Sequence, residues 1–203
     1  MGETILMLIK LVLGILLLPI VLSCALNLYP HILGPDWSNG EFFLWGMFAF
    51  LMTFIFLYQF GSVYEFGQKM ISQLFKFLAP FDQFIVKAIP FYFVILSLIF
   101  FVVKVGLKID SNDHIFMFFL GFLFAMHVIL IGQELQQSEK SSIKPAYFFM
   151  MGIYFVINVC VLILMLDLTY RKFSFPKFYE QTSKQAASMY KASLKKVIEV
   201  KKK

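Results

Sequence analysis

YEFGQKMISQLF, residues 64–75, sets Glu65, Gln68, Lys69, Ser72 and Gln73 between two long greasy runs. Whether this stretch crosses a bilayer or lies on one decides the direction of every segment around it. Glu65, Lys69, Ser72 and Lys76 are spaced 4, 3 and 4, one stripe of a helix, while Phe66, Met70, Leu74 and Leu78 form another. Glu65 and Lys69 also stand in the favourable i, i+4 order. Such a helix either lies flat at an interface with its lysine ends in water, or enters a bundle with the polar stripe turned toward a cavity. Intramembrane lysines cost about 2.5 to 3.5 kcal/mol each on insertion scales, which favours the flat arrangement.

The flanking sequence sets the solvent. Hydrophobic residues make up 60% of the chain, charged residues only 15%, and 27 of the 203 residues are Phe. That balance leaves too much apolar surface for a soluble monomer and points to the bilayer as the solvent. Five regions reach or approach the ~20 apolar residues that cross a hydrocarbon core: 4–29, 41–60, 88–107, 114–132 and 146–167. The expected fold is all-α, a polytopic integral membrane helical bundle with five full spans plus one embedded or interfacial amphipathic helix. An open sheet is excluded because lipid offers no partner to unpaired backbone groups, and barrel-strand alternation is absent. The domain division is 1–170 for the transmembrane helical part and 171–203 for a basic amphipathic tail. Pro19 is expected to kink the first span, and Pro30, Gly34, Pro35 and Gly40 mark the first turn, which includes His31. VLSCALN offers a small-residue cleavage pattern after Ala25, but the basic n-region of a signal peptide is missing, so the first span is expected to remain. Cys24 and Cys160 both lie in apolar runs, where a thiol acts as a small hydrophobe, and two such positions define no disulfide or metal framework.

Lys and Arg set the orientation. Ten basic residues from Arg171 onward, against two acidic ones, place the C-terminus in the cytoplasm. With five crossings alone, Lys69, Lys76 and Lys87 fall outside and the bare 30–40 loop inside. One more membrane-embedded element between 62 and 80 removes that conflict and makes both termini cytoplasmic.

FGQKMISQLF resembles the F-G-H-E-x-x-H-x-L-F helix of site-2-type membrane metalloproteases. In that family two His one turn apart hold zinc and the intervening Glu is the general base on the metal-bound water. Aligned on Phe66 and Gly67, Gln68 stands at the first His position, Lys69 at the Glu position and Ser72 at the second His position. APFDQFIVKAIPFYFVILSL and FLFAMHVILIGQELQQ resemble the family's later segments. The hairpin expected after the motif and the Asp-containing motif for the third ligand are missing, and PDW at 35–37 lies on the wrong side to replace it. The resemblance therefore implies a degenerate member, a pseudoenzyme, with no catalytic residues, metal or other cofactor.

No other catalytic set emerges. His31, His114 and His127 have no His or Cys at i+3 or i+4, and Ser97 has no adjacent base. No nucleophile elbow, Walker loop or dinucleotide fingerprint occurs. The candidates are intramembrane polar groups: His127 and Glu134, seven apart on one helix face, with Asn158 in the fifth span and Glu65 or Lys69. They form either a relay or ligand cluster lining a small transporter or channel, or plain interhelical hydrogen bonds, with Glu134 at a rim already marked by Gln133, Gln136 and Gln137. In the tail, Phe178, Ala186, Tyr190, Leu194 and Val197 recur near helical spacing among Lys184, Lys191, Lys195 and Lys196, a pattern suited to an anionic leaflet. Few aromatics and no folded platform argue against nucleic acid as a partner. The function expected is a non-catalytic scaffold or accessory subunit of the inner or plasma membrane. Its partners would be the lipid bilayer with its anionic head groups and other membrane subunits or further copies of itself. The alternatives are the transporter and a residual membrane hydrolase.

Overall fold

A computed structural model describes residues 2–33, 40–57, 60–79, 81–108, 112–138, 145–170 and 174–200. They form eight α-helices and no strand among the described residues: α1 Gly2–Ile32, α2 Gly40–Leu57, α3 Gly61–Leu74, α4 Asp82–Ala88, α5 Phe91–Phe101, α6 Asp113–Ser138, α7 Pro145–Tyr170 and α8 Phe175–Val200. Four helices, α1, α2, α6 and α7, are long and apolar enough to cross a membrane. The expected span at 88–107 is shorter. Pro90 lacks an N–H and leaves Ile89 extended, so the helix begins only at Phe91. A π-helical turn, Val102–Gly106, extends α5 to a total length of roughly 24 Å at 1.5 Å per residue. His31 and Pro30, expected in a turn, belong to the end of α1, whose register carries on past both prolines to Ile32. Gly34, Pro35 and the PDW segment lie outside the described residues.

α6 is the axis of the bundle. Of its most apolar stretch 61% is buried, against 6% for α1 at the rim. α2 runs parallel to α6 and touches it backbone to backbone: a Cβ built on Gly46 would sit 1.8 Å from the Phe118 carbonyl oxygen, and one on Gly121 1.9 Å from that of Phe43. The glycines let two helices approach closer than side chains permit. α5 packs antiparallel on α6 through Phe100 and Phe116, stacked at 3.7 Å, and Phe93 against Phe124 at 6.4 Å. Lys104, in the π-helical turn after α5, pairs with Asp113 at the start of α6 at 2.6 Å and lies over the Tyr170 ring at 4.3 Å. α1 runs parallel to α7, with Phe148 against Gly14 and Leu17 against Gly152.

Two placements redirect the topology. α3 and α4 both lie against the C-terminal end of α6, held there by Gln68 and Lys87, so both helices sit at one end of the bundle and neither runs along its length. α8, in contrast, turns back after α7 and runs antiparallel beside α1. Phe178 meets His31, Gln185 meets Asn27, Met189 meets Ser23, and the Tyr190 hydroxyl donates to the carbonyl of Leu16.

Candidate functional site

α3 turns inward along Tyr64, Gly67, Gln68 and Ile71, which recur at i, i+3, i+4 and i+7. Three of these are apolar or small, and Gly67 lets the helix settle on the Phe91 and Tyr92 rings. The Tyr92 hydroxyl donates to the Val63 carbonyl at 2.6 Å. This face differs from the Glu65, Lys69, Ser72 stripe: Glu65 and Lys69 are exposed and take no part in the inner cluster. The apolar contact outweighs the polar stripe because turning a lysine inward forfeits its hydration.

The side chain that reaches the bundle is Gln68. Its Nε2 donates to Glu134 Oε2 at 2.8 Å, and Lys87 Nζ pairs with Glu134 Oε1 at 2.9 Å. Both oxygens of one carboxylate are thus taken by groups from α3 and α4. Two turns deeper on α6, His127 is 95% buried, and its Nε2 lies 3.1 Å from the Lys87 carbonyl. Because a carbonyl only accepts, that nitrogen carries the proton of the bond. Tyr64 packs its ring 5.8 Å from the His127 ring and buries its hydroxyl near Gln68. Beside them lies a cavity of about 10 Å³, on the order of one water molecule. Asn158 is buried but stands apart, donating to the Tyr154 carbonyl of its own helix at 2.7 Å.

The structure therefore brings His127 and Glu134 to one face, as their spacing implies, and joins them to Gln68, Lys87 and Tyr64 rather than to Glu65, Lys69 or Asn158. Lys87 had no local signature, since its partner is 47 residues away. In the sequence Gln68 stands among the polar residues of its stretch and at the first His position of the resembled motif, and neither feature points to Glu134. Chemically the arrangement is a clamp: a carboxylate saturated by an amide and an ammonium holds the 61–88 segment on α6. Among the described residues no group of three His, Cys, Asp or Glu side chains is placed to hold a metal ion.

Because Lys87 and Glu134 are only partly exposed, 25% and 37% by side chain, the clamp contributes to stability. Glu134→Ala leaves Lys87 and Gln68 without their acceptor and is expected to cost about 2 kcal/mol. Hydrogen exchange should quicken across 61–88 while α6 and α7 keep their protection. Unchanged exchange in that segment would show that the clamp holds nothing.

The tail forms a second polar surface. Phe178, Thr182, Ala186 and Met189 of α8 face α1 and α7, and Lys177, Glu180, Gln181, Lys184, Ser188 and Lys191 form an exposed outer stripe. Lys184 pairs with Glu180 at 2.5 Å. Lys195 is exposed as well, while the side chain of Lys196 is outside the described residues. The apolar face that would enter a leaflet is already seated on the bundle.

Compared with protein-family models, with curated proteins and with solved structures, the chain matches none.

Proposed function

We propose that this chain is an integral membrane protein of the inner or plasma membrane that acts without catalysis of its own, as a scaffold or accessory subunit. In this reading α1, α2, α6 and α7 cross the bilayer, α5 crosses as a shorter helix, and α3 with α4 is embedded at one face. One observation carries it. α8 runs beside α1 to the level of Leu16, inside the apolar stretch Ile5–Ile32, and turns the stripe of Lys177, Lys184 and Lys191 outward. In a lone molecule that stripe meets hydrocarbon, where each lysine costs about 2.5 to 3.5 kcal/mol. Lysines near a helix end escape by reaching for the head groups, but Lys184 sits mid-way along the packed length, where its pairing with Glu180 leaves both charged heads exposed. A partner subunit presenting acidic or amide groups removes the penalty, and the positive stripe selects it by charge.

The return of α8 also suits the distribution of positive charge. Lys191 and Lys195 travel toward the end that holds Lys69, Lys76 and Lys87, while Lys104, Lys108 and Lys177 lie at the other, and this reading takes the first as the cytoplasmic face. A carrier reading has less support, because Glu65 and Lys69 are exposed on α3 and Asn158 donates within its own helix, apart from His127.

Membranes solubilised in a gentle detergent should yield this chain with a second membrane protein in fixed ratio. The double reversal Lys184→Glu with Lys191→Glu should reduce that co-purification at least tenfold and leave the bundle monodisperse. Repeated recovery of a lone monomer with its lysines intact overturns the subunit reading.

A further inference from the structure

Beneath α8 lies a cavity of about 360 Å³ that neither the clamp nor the outer stripe uses. Its walls are Ile20 and Cys24 of α1, Val156 and Cys160 of α7, and Phe178 and Ala186 of α8. Along α8 the lining runs from Phe175 to Tyr190, roughly 22 Å at 1.5 Å per residue. The space is therefore a slot rather than a sphere. Its volume falls within the roughly 300 to 1,000 Å³ of small-molecule sites. Exposed Tyr179, Ser183 and Ala187 contribute to the lining, which connects the slot with the surroundings.

The chemistry of the walls selects the occupant. A water needs two to four polar partners, and the lining offers mainly apolar side chains, so a file of waters has little to hold it. Of the lining hydroxyls, Ser183 and Tyr190 donate to the Glu180 and Leu16 carbonyls and Tyr179 is exposed, which leaves one buried and unanswered. Thr182 is 93% buried, and its hydroxyl has no hydrogen-bond partner among the described residues, where a helical threonine ordinarily bonds back to its own helix. An elongated apolar slot with a single unanswered donor in its wall fits a chain of methylenes that carries one carbonyl.

We propose that the slot between α1, α7 and α8 binds one acyl chain, with a carboxyl or ester oxygen accepting the Thr182 hydroxyl. The site rests on α8 being seated on α1 and α7, not on the presence of a partner subunit. Bound chain fills the gap under α8 and holds that helix in place, so the lipid acts as packing for the element that presents the lysine stripe.

The test uses the full chain in nonionic detergent. Cis-parinaric acid should bind saturably, one per chain, and be displaced by oleic acid. Displacement by oleic acid alone assigns the site to free fatty acid; displacement by phosphatidylglycerol as well assigns it to the acyl chain of a bilayer lipid. Ala186→Phe, which fills the slot, should weaken binding at least tenfold, and the near-isosteric Thr182→Val about fivefold. In the unsubstituted protein, oleic acid should slow alkylation of Cys160 by N-ethylmaleimide, a readout that no misfolded variant can mimic. Uptake that rises linearly with probe and is equal in Ala186→Phe, or alkylation indifferent to oleic acid, overturns the proposal. Saturable binding in a protein that purifies alone retires the partner and keeps the slot; co-purification without binding does the reverse.

Discussion

Gly46→Ala and Gly121→Ala should each destabilise the bundle by about 3 kcal/mol or more, at the upper end of what overpacking costs. The reason is where the added atom lands. It meets the Phe118 carbonyl oxygen at 1.8 Å in one case and the Phe43 carbonyl oxygen at 1.9 Å in the other. A flexible side chain swings away from such a clash, but a carbonyl fixed in a helix does not. α2 and α6 must separate instead, and the Phe43, Phe50 and Phe124 contacts along the seam loosen together. In a chain of this length about 3 kcal/mol corresponds to roughly 10 °C of melting temperature. Because either substitution alone already parts the helices, the double variant should cost less than the sum of the singles. Gly61→Ala is the control: nothing lies within 4 Å of its added Cβ, so its melting curve should overlay the parent. Equal melting for Gly46→Ala and Gly61→Ala would mean that the two backbones do not touch.

Phe178→Ala should release α8 while the other helices stay assembled. Phe178 is 2% exposed and packs its ring 5.3 Å from His31, and truncating a buried Phe typically costs about 3 to 5 kcal/mol. Beyond the small buried side chains Thr182 and Ala186, α8 is tied to α1 by a few polar contacts, Gln185 with Asn27, Met189 with Ser23 and Tyr190 with the Leu16 carbonyl, each worth about 1 kcal/mol. The loss is therefore expressed as local opening rather than global unfolding. Trypsin must open the helix to cut after Lys184 or Lys191, and a cost near 3 kcal/mol raises the open population about a hundredfold. Tyr179→Ala, one residue along but 66% exposed, should leave cleavage near the parent rate. If the two variants are cut alike, α8 is not anchored through Phe178.

The long helices were legible because an apolar run of a given length has few structural solutions. α2, α6 and α7 lie within a few residues of the expected spans. α5 was read too long because the apolar run continues through Ile89 and Pro90, where composition stays greasy but the backbone loses a donor and extends. His31 was placed in a turn on the strength of Pro30, yet a proline near a helix end costs only the bond it removes, and α1 absorbs it. In the candidate cluster, His127 and Glu134 share a face by spacing alone. Gln68 and Lys87 became its partners through contacts 66 and 47 residues away, which no local pattern encodes.

The same division runs through α8. Its amphipathic period was plain in the residues, and so was the stripe of lysines. The partner of its apolar face was not, since lipid and the flank of another helix reward the same side chains equally.

From its residues alone this chain is committed to helices, to four or more segments long and apolar enough to cross a bilayer, and to a basic amphipathic end. Tertiary structure alone decided that α3 turns Gln68 inward and Glu65 outward, that α3 and α4 sit at one end of the bundle, and that α8 lies along α1. Periodicity states which side chains share a face. Which surface covers that face depends on packing between distant segments, where a bare Gly46 facing Phe118 counts for more than any hydropathy average.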